Sequence, residues 1–452
     1  MNTTLIAIAP ILLTGPLIAT TRSRSSVLAL AAAAGWATLV VNVLLAVAGL
    51  AGLVAADPIG LIAQLLTSFV GAIVLSFSRR FLRADSETRG YAVKTTLLLG
   101  AVMLFAGARD MVSLAIGWIA SGWLLAALIG HARRWPEARK ARRRTLATFI
   151  VGDIALVAGL AILGFAEGGI ALDRLAIAPT ASTTLAALLI VIAASVRCAL
   201  PPFQRWLSRS MTAPTPVSAL MHAGFVNGGG ILLIRFVPVL ETAPLARLAA
   251  IGLGLVAALV GTAVTLVRPD VKRSLAGSTS AQMGFMLMTC GLGAYAAALW
   301  HLVAHGLFKA WLFLRSGSAI GAGAPAETAT IAPVAVAGIG VAAVAACLAL
   351  ETPYGPAVVP LTLALVAALV TAARLVSEPL LAAITAIILA AYTGGLVAVD
   401  HLLAHPSGPA IGGVLLAPAI IAVFMAAWLV QALIFAGRVR PPAALHARLL
   451  NA

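Results

Sequence analysis

Charged side chains are scarce in this chain of 452 residues. Asp, Glu, Lys and Arg make up 10% of it, whereas a soluble domain carries about 25%. Hydrophobic residues reach 62%. Uncharged windows of about 20 residues or more recur, as at 27–56, 175–196 and 411–436. This composition excludes an ordinary soluble globular protein.

Acidic side chains and cysteines are also few. Fourteen Asp and Glu stand against thirty Lys and Arg, which gives a formal net charge of +16. The three cysteines, Cys198, Cys290 and Cys347, lie in apolar stretches without CxxC spacing. That spacing supports neither a disulfide framework nor a cysteine metal site. The alternation of apolar and polar residues that a membrane β-barrel needs is lacking too.

The uncharged windows predict membrane-spanning helices, because a chain in lipid must satisfy every backbone amide internally. We expect an all-α polytopic membrane protein with about 13–15 transmembrane helices. The expected spans are 4–21, 27–55, 58–78, 92–108, 110–130, 145–166, 182–200, 215–238, 244–267, 274–292, 295–319, 331–350, 357–373, 379–399 and 411–436.

The basic residues fall in every second loop, which is the pattern of cytoplasmic loops. We therefore expect a multi-pass protein of the cell inner membrane, with the N-terminus outside and the C-terminus in the cytoplasm. Short loops beside anionic lipid explain the positive charge better than nucleic acid does. These loops contain Arg22 and Arg24; Arg79, Arg80, Arg83 and Arg89; residues 131–144; Lys272 and Arg273; and Arg438, Arg440 and Arg448.

A broken helix is predicted near 197–214. Pro201 and Pro202 remove two backbone donors and force the chain out of helix between two apolar runs. Broken helices at membrane depth mark ion sites in transporters. An ordinary interfacial loop is the alternative. A weaker break occurs at 351–356.

The strongest candidate site is a stripe of three titratable residues. His301, His305 and Lys309 are spaced by four residues, so they share one face of a helix over about 12 Å of rise. Ionisable groups inside a span are functional candidates, and histidine titrates near neutral pH. The stripe predicts a proton relay. One alternative is that the histidines form hydrogen bonds between helices. Metal binding by the histidine pair is a second alternative, but Leu302 occupies the position where a zinc-protease helix has Glu.

Three further residues are candidates. His222 precedes Asn227 and three glycines. It either extends the relay or has a structural role, forming hydrogen bonds between helices. Arg197 ends an apolar run before the broken segment, where a permanently protonated guanidinium acts as an electrostatic gate or snorkels to the interface. Asp153 lies inside a span and is expected to tune the site as counter-ion to Arg197, with local hydrogen bonding as the alternative.

These residues lie in motifs that resemble a known family. Residues 213–223, 270–285 and 301–318 resemble signatures of the antiporter-like proton-translocating subunits. Such subunits occur in respiratory complex I, in multisubunit Na⁺/H⁺ antiporters and in inorganic carbon pumps of the DAB type. The resemblance covers roughly 58–320 and implies an antiporter-like fold. We expect one transmembrane domain, with a proton-channel core at 58–320 and further helices at 321–452.

Departures from the family pattern indicate the branch. The complex I motif Gly-Trp-Glu reads Gly-Trp-Ile-Ala at 117–120, and Arg197 occupies the position of the broken-helix lysine. No lysine follows Lys309. Cys198 and the segment 289–295 are most similar to the membrane subunits of DAB-type pumps.

The resemblance to that branch implies a partner. Membrane subunits of this type pair with a large peripheral subunit (DabA type) that resembles a zinc-dependent β-carbonic anhydrase. The implied activity is directional CO₂ hydration to bicarbonate, driven by a cation gradient through the membrane subunit. Zinc then belongs to the partner, and no cofactor is expected in this chain.

Two other functions stay open from the sequence. One is a proton-translocating subunit of an NADH-quinone oxidoreductase or of a cation/proton antiporter. The other is a membrane scaffold that only anchors a partner enzyme. In each case this chain is expected to be a transport or anchoring subunit and not itself an enzyme.

Overall fold

The structure is a computed structural model and describes residues 3–21, 23–55, 57–172, 178–316, 333–374, 379–403, 411 and 415–451. Arg22 and residues 317–319 at the end of the expected span 295–319 lie outside these ranges.

The described residues form a bundle of α-helices. The first half of the chain contains α1 Thr3–Thr20, α2 Arg24–Leu50, α3 Pro58–Phe81, α4 Thr88–Ala106, α5 Met111–Ile129, α6 Pro136–Glu167, α7 Ala181–Arg197, α8 Arg205–Ser208, α9 Thr215–Leu220 and α10 Gly228–Arg235. The second half contains α11 Val237–Glu241, α12 Pro244–Val267, α13 Val271–Leu292, α14 Tyr295–Arg315, α15 Pro333–Tyr354, α16 Val358–Arg374, α17 Pro379–Leu403, α18 Leu416–Phe435 and α19 Ala443–Asn451.

The all-α, membrane-spanning fold expected from the sequence is confirmed. Each expected span falls on one helix, except that 215–238 covers α9, a turn at 221–225, α10 and the start of α11. Ten helical stretches among the described residues are long and apolar enough to cross a membrane, and shorter apolar helices accompany them. The weak break at 351–356 is the junction of α15 and α16, where Gly355–Ala357 form a short 3-10 turn.

The expected broken helix is present. α7 ends at Arg197, and the chain then makes turns through Pro201 and Pro202 before the single turn α8. Regular helix resumes at Thr215. The indole of Trp206 in α8 donates to the carbonyl of Val196, 2.9 Å away, and so satisfies one of the last carbonyls of α7.

A second interruption follows that the sequence did not predict. Residues Met221–Phe225 form a π-helical turn between α9 and α10. Such turns are frequent at functional sites. The glycines at 228–230 bring α10 close to its neighbours: a methyl group at Gly229 would lie 2.6 Å from the carbonyl oxygen of Ala194 in α7. A side chain at Gly229 would therefore collide with α7.

The tightest helix pair is α12 with α13. A methyl group on Gly284 of α13 would lie 2.6 Å from the carbonyl oxygen of Gly254 and 2.7 Å from the backbone nitrogen of Ala258. Backbone atoms cannot move aside as a flexible side chain can. Small residues therefore set the distance between these two helices.

Gly284→Leu is expected to lower the thermal stability of the purified protein in detergent, because the new side chain meets the backbone of α12 at Gly254 and Ala258. Overpacking of this kind costs typically 1–3 kcal/mol, and about the upper value is expected here. Gly252→Leu is the matched control, since a methyl group at Gly252 of α12 meets nothing within 4 Å. Equal melting temperatures for the two variants would contradict the packing.

Candidate functional site

The three residues of the stripe lie on one face of α14, as their spacing predicts. His305 and Lys309 are buried, at 5% and 1% exposure, and His301 is partly exposed. The imidazoles of His301 and His305 lie with ring centres 6.1 Å apart and planes inclined by 17°. The rings are too far apart for a direct hydrogen bond, but one bridging water fits between groups at such a spacing.

Lys309 is held by α13 without a carboxylate. Its Nζ donates to the Ser278 hydroxyl at 2.8 Å and to the Leu275 carbonyl at 3.3 Å. These neutral oxygens solvate the ammonium in place of water. They carry no negative charge, so a proton on Lys309 is not trapped by an ion pair.

His305 is the least satisfied residue of the site. Neither of its ring nitrogens has a hydrogen-bond partner among the described residues, and Nε2 of His301 also has none. Buried polar atoms are nearly always bonded to protein or water. His305 lies within electrostatic range of His301, Lys309 and His222. The four side chains therefore form one cluster.

His222 joins the cluster through the π-helical turn. Its Nδ1 lies 3.0 Å from the hydroxyl of Thr279, and its ring stacks on Phe313 of α14 at 4.1 Å between centres. The Thr279 hydroxyl donates to the carbonyl of Leu275, which also accepts from Lys309. A hydroxyl has one proton to donate, so it accepts from Nδ1–H of His222. One backbone carbonyl thus links His222 to Lys309.

Arg197 forms a separate site between α7 and α5. Its guanidinium is 4% exposed and donates to the Ser121 hydroxyl and the Trp118 carbonyl, each at 2.8 Å. Its Cζ lies 3.7 Å from the ring centre of Trp118 and 4.1 Å from that of Phe225. Cation–π contacts of this kind stabilise a desolvated cation. The aromatic rings, the hydroxyl and the carbonyl therefore stabilise the buried guanidinium.

Asp153 is buried near Arg197 but not against it. Its Oδ2 accepts from the Trp123 indole at 3.3 Å, and its Oδ1 has no partner among the described residues. Within the part of the chain that the structure describes, no ion pair within 4.0 Å joins Asp153 to Arg197. The carboxylate acts on Arg197 at longer range, and Trp118 lies beside both groups.

Two buried arginines were missed by the sequence reasoning. Arg235 of α10 pairs with Asp57 at the start of α3 and with the carbonyl of Ala106. Arg247 of α12 is 2% exposed and bonds the carbonyls of Gly291 and Leu292 at 2.9 Å each, which caps the end of α13. Both arginines fall inside expected spans. The rule that an ionisable residue inside a span is a candidate, which identified the stripe, would therefore have found them as well.

Arg197→Lys is expected to destabilise the protein, because an ammonium cannot reproduce the flat contact with Trp118 or bond both oxygens in one plane. The loss of one charged hydrogen bond costs about 1.5–3 kcal/mol. Arg209→Lys is the control, since Arg209 is an exposed residue of the same broken segment. Thermal unfolding of the purified variants checks this, and a shift no larger than that of the control would contradict it.

Comparison with curated proteins finds relatives of two kinds. The probable inorganic carbon transporter subunit DabB of Bacillus subtilis (strain 168) is 40% identical over 292 residues, or 63% of this chain and 58% of that protein. Subunit DabB1 of Halothiobacillus neapolitanus is 38% identical over 275 residues, or 58% and 49%. The NADH-quinone oxidoreductase subunit L of Mycobacterium tuberculosis (strain ATCC 25618 / H37Rv) is 35% identical over 271 residues, or 58% and 43%. This chain thus spans about half the length of these relatives.

A solved structure and a family model agree on the fold. The Mrp complex from Dietzia sp. DQ12-45-1b matches 99% of this chain and 58% of its own with a TM-score of 0.67 at 23% identity. The model of the NADH:quinone oxidoreductase/Mrp antiporter transmembrane family matches residues 108–334, which is half of the chain. That range includes the broken segment and the whole stripe. The chain belongs to the NADH:quinone oxidoreductase/Mrp antiporter family of membrane proteins.

Proposed function

We propose that this chain is the membrane subunit of an energy-coupled inorganic carbon pump. In this proposal it conducts protons or another cation through the stripe and so drives a carbonic-anhydrase-like partner. The cluster of His305, His301, Lys309 and His222 carries the proposal, because each of its three imidazoles has at least one nitrogen without a partner among the described residues, inside an apolar bundle. The similarity to proteins named inorganic carbon transporter subunits supports inorganic carbon as the substrate of the pump.

Each residue of the site has a part in the proposed conduction. An imidazole accepts a proton on one nitrogen and releases one from the other, so His301 and His305 relay protons through intervening water. Lys309 holds a proton between neutral oxygens and passes it on. His222 responds to the charge of Lys309 through the shared Leu275 carbonyl.

The second pair is assigned to control of the relay. The guanidinium of Arg197 stays protonated at the broken helix and repels a second positive charge nearby. This repulsion is the proposed gate. The carboxylate of Asp153 weakens this repulsion, because its negative charge offsets part of the positive charge of Arg197 without direct contact. A shift of the broken segment would change both effects together, since α7 ends at Arg197 itself.

A basic groove at the cytoplasmic end is the proposed contact for the partner. This groove has a volume of about 520 Å³ and is lined by the start of α6, the broken segment and the start of α13. Lys140, Arg144, Arg209 and Arg273 contribute its positive charge, and Trp135 adds an apolar surface. We assign it to an acidic face of the peripheral zinc-binding subunit, with the N-terminus of this chain outside and the complex in the cell inner membrane.

Lys309→Ala is expected to abolish carbon-limited growth of a cell that depends on the pump, because the relay loses its proton carrier. The complex should still assemble, since Ser278 and Leu275 keep their helical bonds. Lys94→Ala is the control, because Lys94 is a half-buried lysine at the basic end of α4. Growth of the Lys309 variant at the rate of the control would end the relay assignment.

Arg273→Glu is expected to release the partner during purification of the complex from membranes, because it reverses one charge of the groove. Arg438→Glu is the control, an exposed arginine that does not line the groove. Retention of the partner by both variants would refute the docking site. Co-purification with flavin and iron–sulfur subunits would instead favour an oxidoreductase, as the similarity to subunit L suggests.

A further inference from the structure

A second basic cavity lies between the start of α2 and the end of α3, with a volume of about 590 Å³. Since α3 and α5 are alternate spans, this cavity is at the same end of the bundle as the basic groove beside the loop from α5 to α6. Four arginines, two serines and two apolar residues line it, namely Arg24, Arg79, Arg80 and Arg83, Ser25 and Ser76, and Leu28 and Phe77. We call these eight residues the arginine pocket.

The arginine pocket carries four positive charges without a counter-ion of its own. Among the described residues, no carboxylate lines it, and no ion pair within 4.0 Å involves its arginines. The first carboxylate after α3 is Asp85, which lies 3.1 Å from Nε2 of His131 and accepts from the backbone nitrogen of Glu87 at 2.7 Å. All four arginines are exposed. The pocket therefore favours an anionic ligand from outside the chain.

On its membrane side the arginine pocket continues into an aromatic surface. The indole of Trp36 in α2 donates to the hydroxyl of Ser76 at 3.0 Å, and Trp36 is 46% exposed. Phe77 stacks on Phe81 with ring centres 5.7 Å apart, and Phe81 is exposed as well. Both helices are long and apolar enough to cross a membrane, so exposed rings on them face lipid. Ser76 thus joins the charged pocket to this surface by direct contact.

We infer that the arginine pocket binds one anionic phospholipid. The phosphate lies among the guanidinium groups, whose forked N–H donors match the geometry of phosphate oxygens. An acyl chain lies along Phe77 and Trp36. Basic pockets between transmembrane helices hold anionic head groups in this way. No residue of the arginine pocket lines the basic groove assigned to the partner, so the two sites are distinct.

Two other anionic ligands match the arginine pocket less well. A free phosphate ion fills only a small part of its volume and makes no contact with the aromatic surface. An acidic protein segment matches the charge, but Trp36 and Phe81 lie on the membrane side, where a water-soluble partner does not reach. A phospholipid uses the charge and the rings together.

Phosphatidylglycerol is the probe for this site, and native mass spectrometry of the purified full chain in a neutral detergent measures its binding. One molecule is expected to bind several-fold more tightly than phosphatidylethanolamine with the same acyl chains, because only the former has a net negative charge. Equal affinity for the two lipids would overturn the inference.

The double variant Arg79→Gln and Arg80→Gln is expected to lower the affinity for phosphatidylglycerol about thirtyfold, since each arginine beside an anionic head group contributes a factor of about five. Arg133→Gln with Arg134→Gln is the matched control. Those two arginines are also adjacent and exposed at this end of the bundle, and they lie outside the pocket. A loss no larger than that of the control would refute the site.

Phosphatidylglycerol with brominated acyl chains tests the aromatic surface, because bromine quenches tryptophan fluorescence on contact. Trp36→Phe should remove most of the quenching that saturates at one lipid per chain. Trp311→Phe is the control, since Trp311 is an exposed residue of α14 outside the pocket. If the saturable quenching is the same in both variants, the acyl chain lies elsewhere and the inference fails.

Inorganic phosphate distinguishes a lipid from a free anion. Phosphatidylglycerol should stay bound when inorganic phosphate is added at the same concentration. Its displacement would assign the arginine pocket to a free anion and overturn the inference. Loss of a protein partner from the Arg79 and Arg80 double variant, with lipid binding unchanged, would assign it to an acidic protein and overturn the inference as well.

Discussion

The structure depends on the cost of leaving a polar atom unsatisfied in an apolar medium. A buried amide or hydroxyl without a partner costs roughly 2–7 kcal/mol, and lipid offers no partner. Backbone groups avoid that cost through the hydrogen bonds of the helices. Several side chains of α14 do not: Tyr295, Trp300, His301 and His305 each have a buried polar atom without a partner among the described residues. The proposed relay uses water along this helix to satisfy the imidazole nitrogens and to carry protons between them.

Charge compensation follows from the same constraint. Lys309 and Arg197 are each solvated by a hydroxyl and a backbone carbonyl, and neither contacts a carboxylate within the described ranges. Neutral oxygens stabilise a cation without holding its proton in an ion pair. α13 is the common support, since Leu275, Ser278 and Thr279 serve both Lys309 and His222. Its first turn also lines the basic groove through Arg273, so the proposed partner site and the proposed relay share this helix.

Much of this arrangement was predictable from the sequence. Uncharged runs placed the spans, the prolines at 201–202 placed the broken helix, and the spacing of four put His301, His305 and Lys309 on one face. The π-helical turn at 221–225 was not, because the run 217–226 contains no proline and no Asp, Glu, Lys or Arg and so is predicted as continuous helix. Pairing of Asp153 with Arg197 was expected from charge alone, yet Trp118 and Ser121 take up the guanidinium. Polar contacts between distant helices depend on side-chain directions that a span pattern does not contain.

The most direct test of this account is a high-resolution cryo-electron microscopy map of the protein in lipid, with ordered water assigned around α14. The account predicts water bonded to both ring nitrogens of His305 and continuing to Nε2 of His301. A dry helix whose imidazole nitrogens are all bonded to protein groups would contradict it.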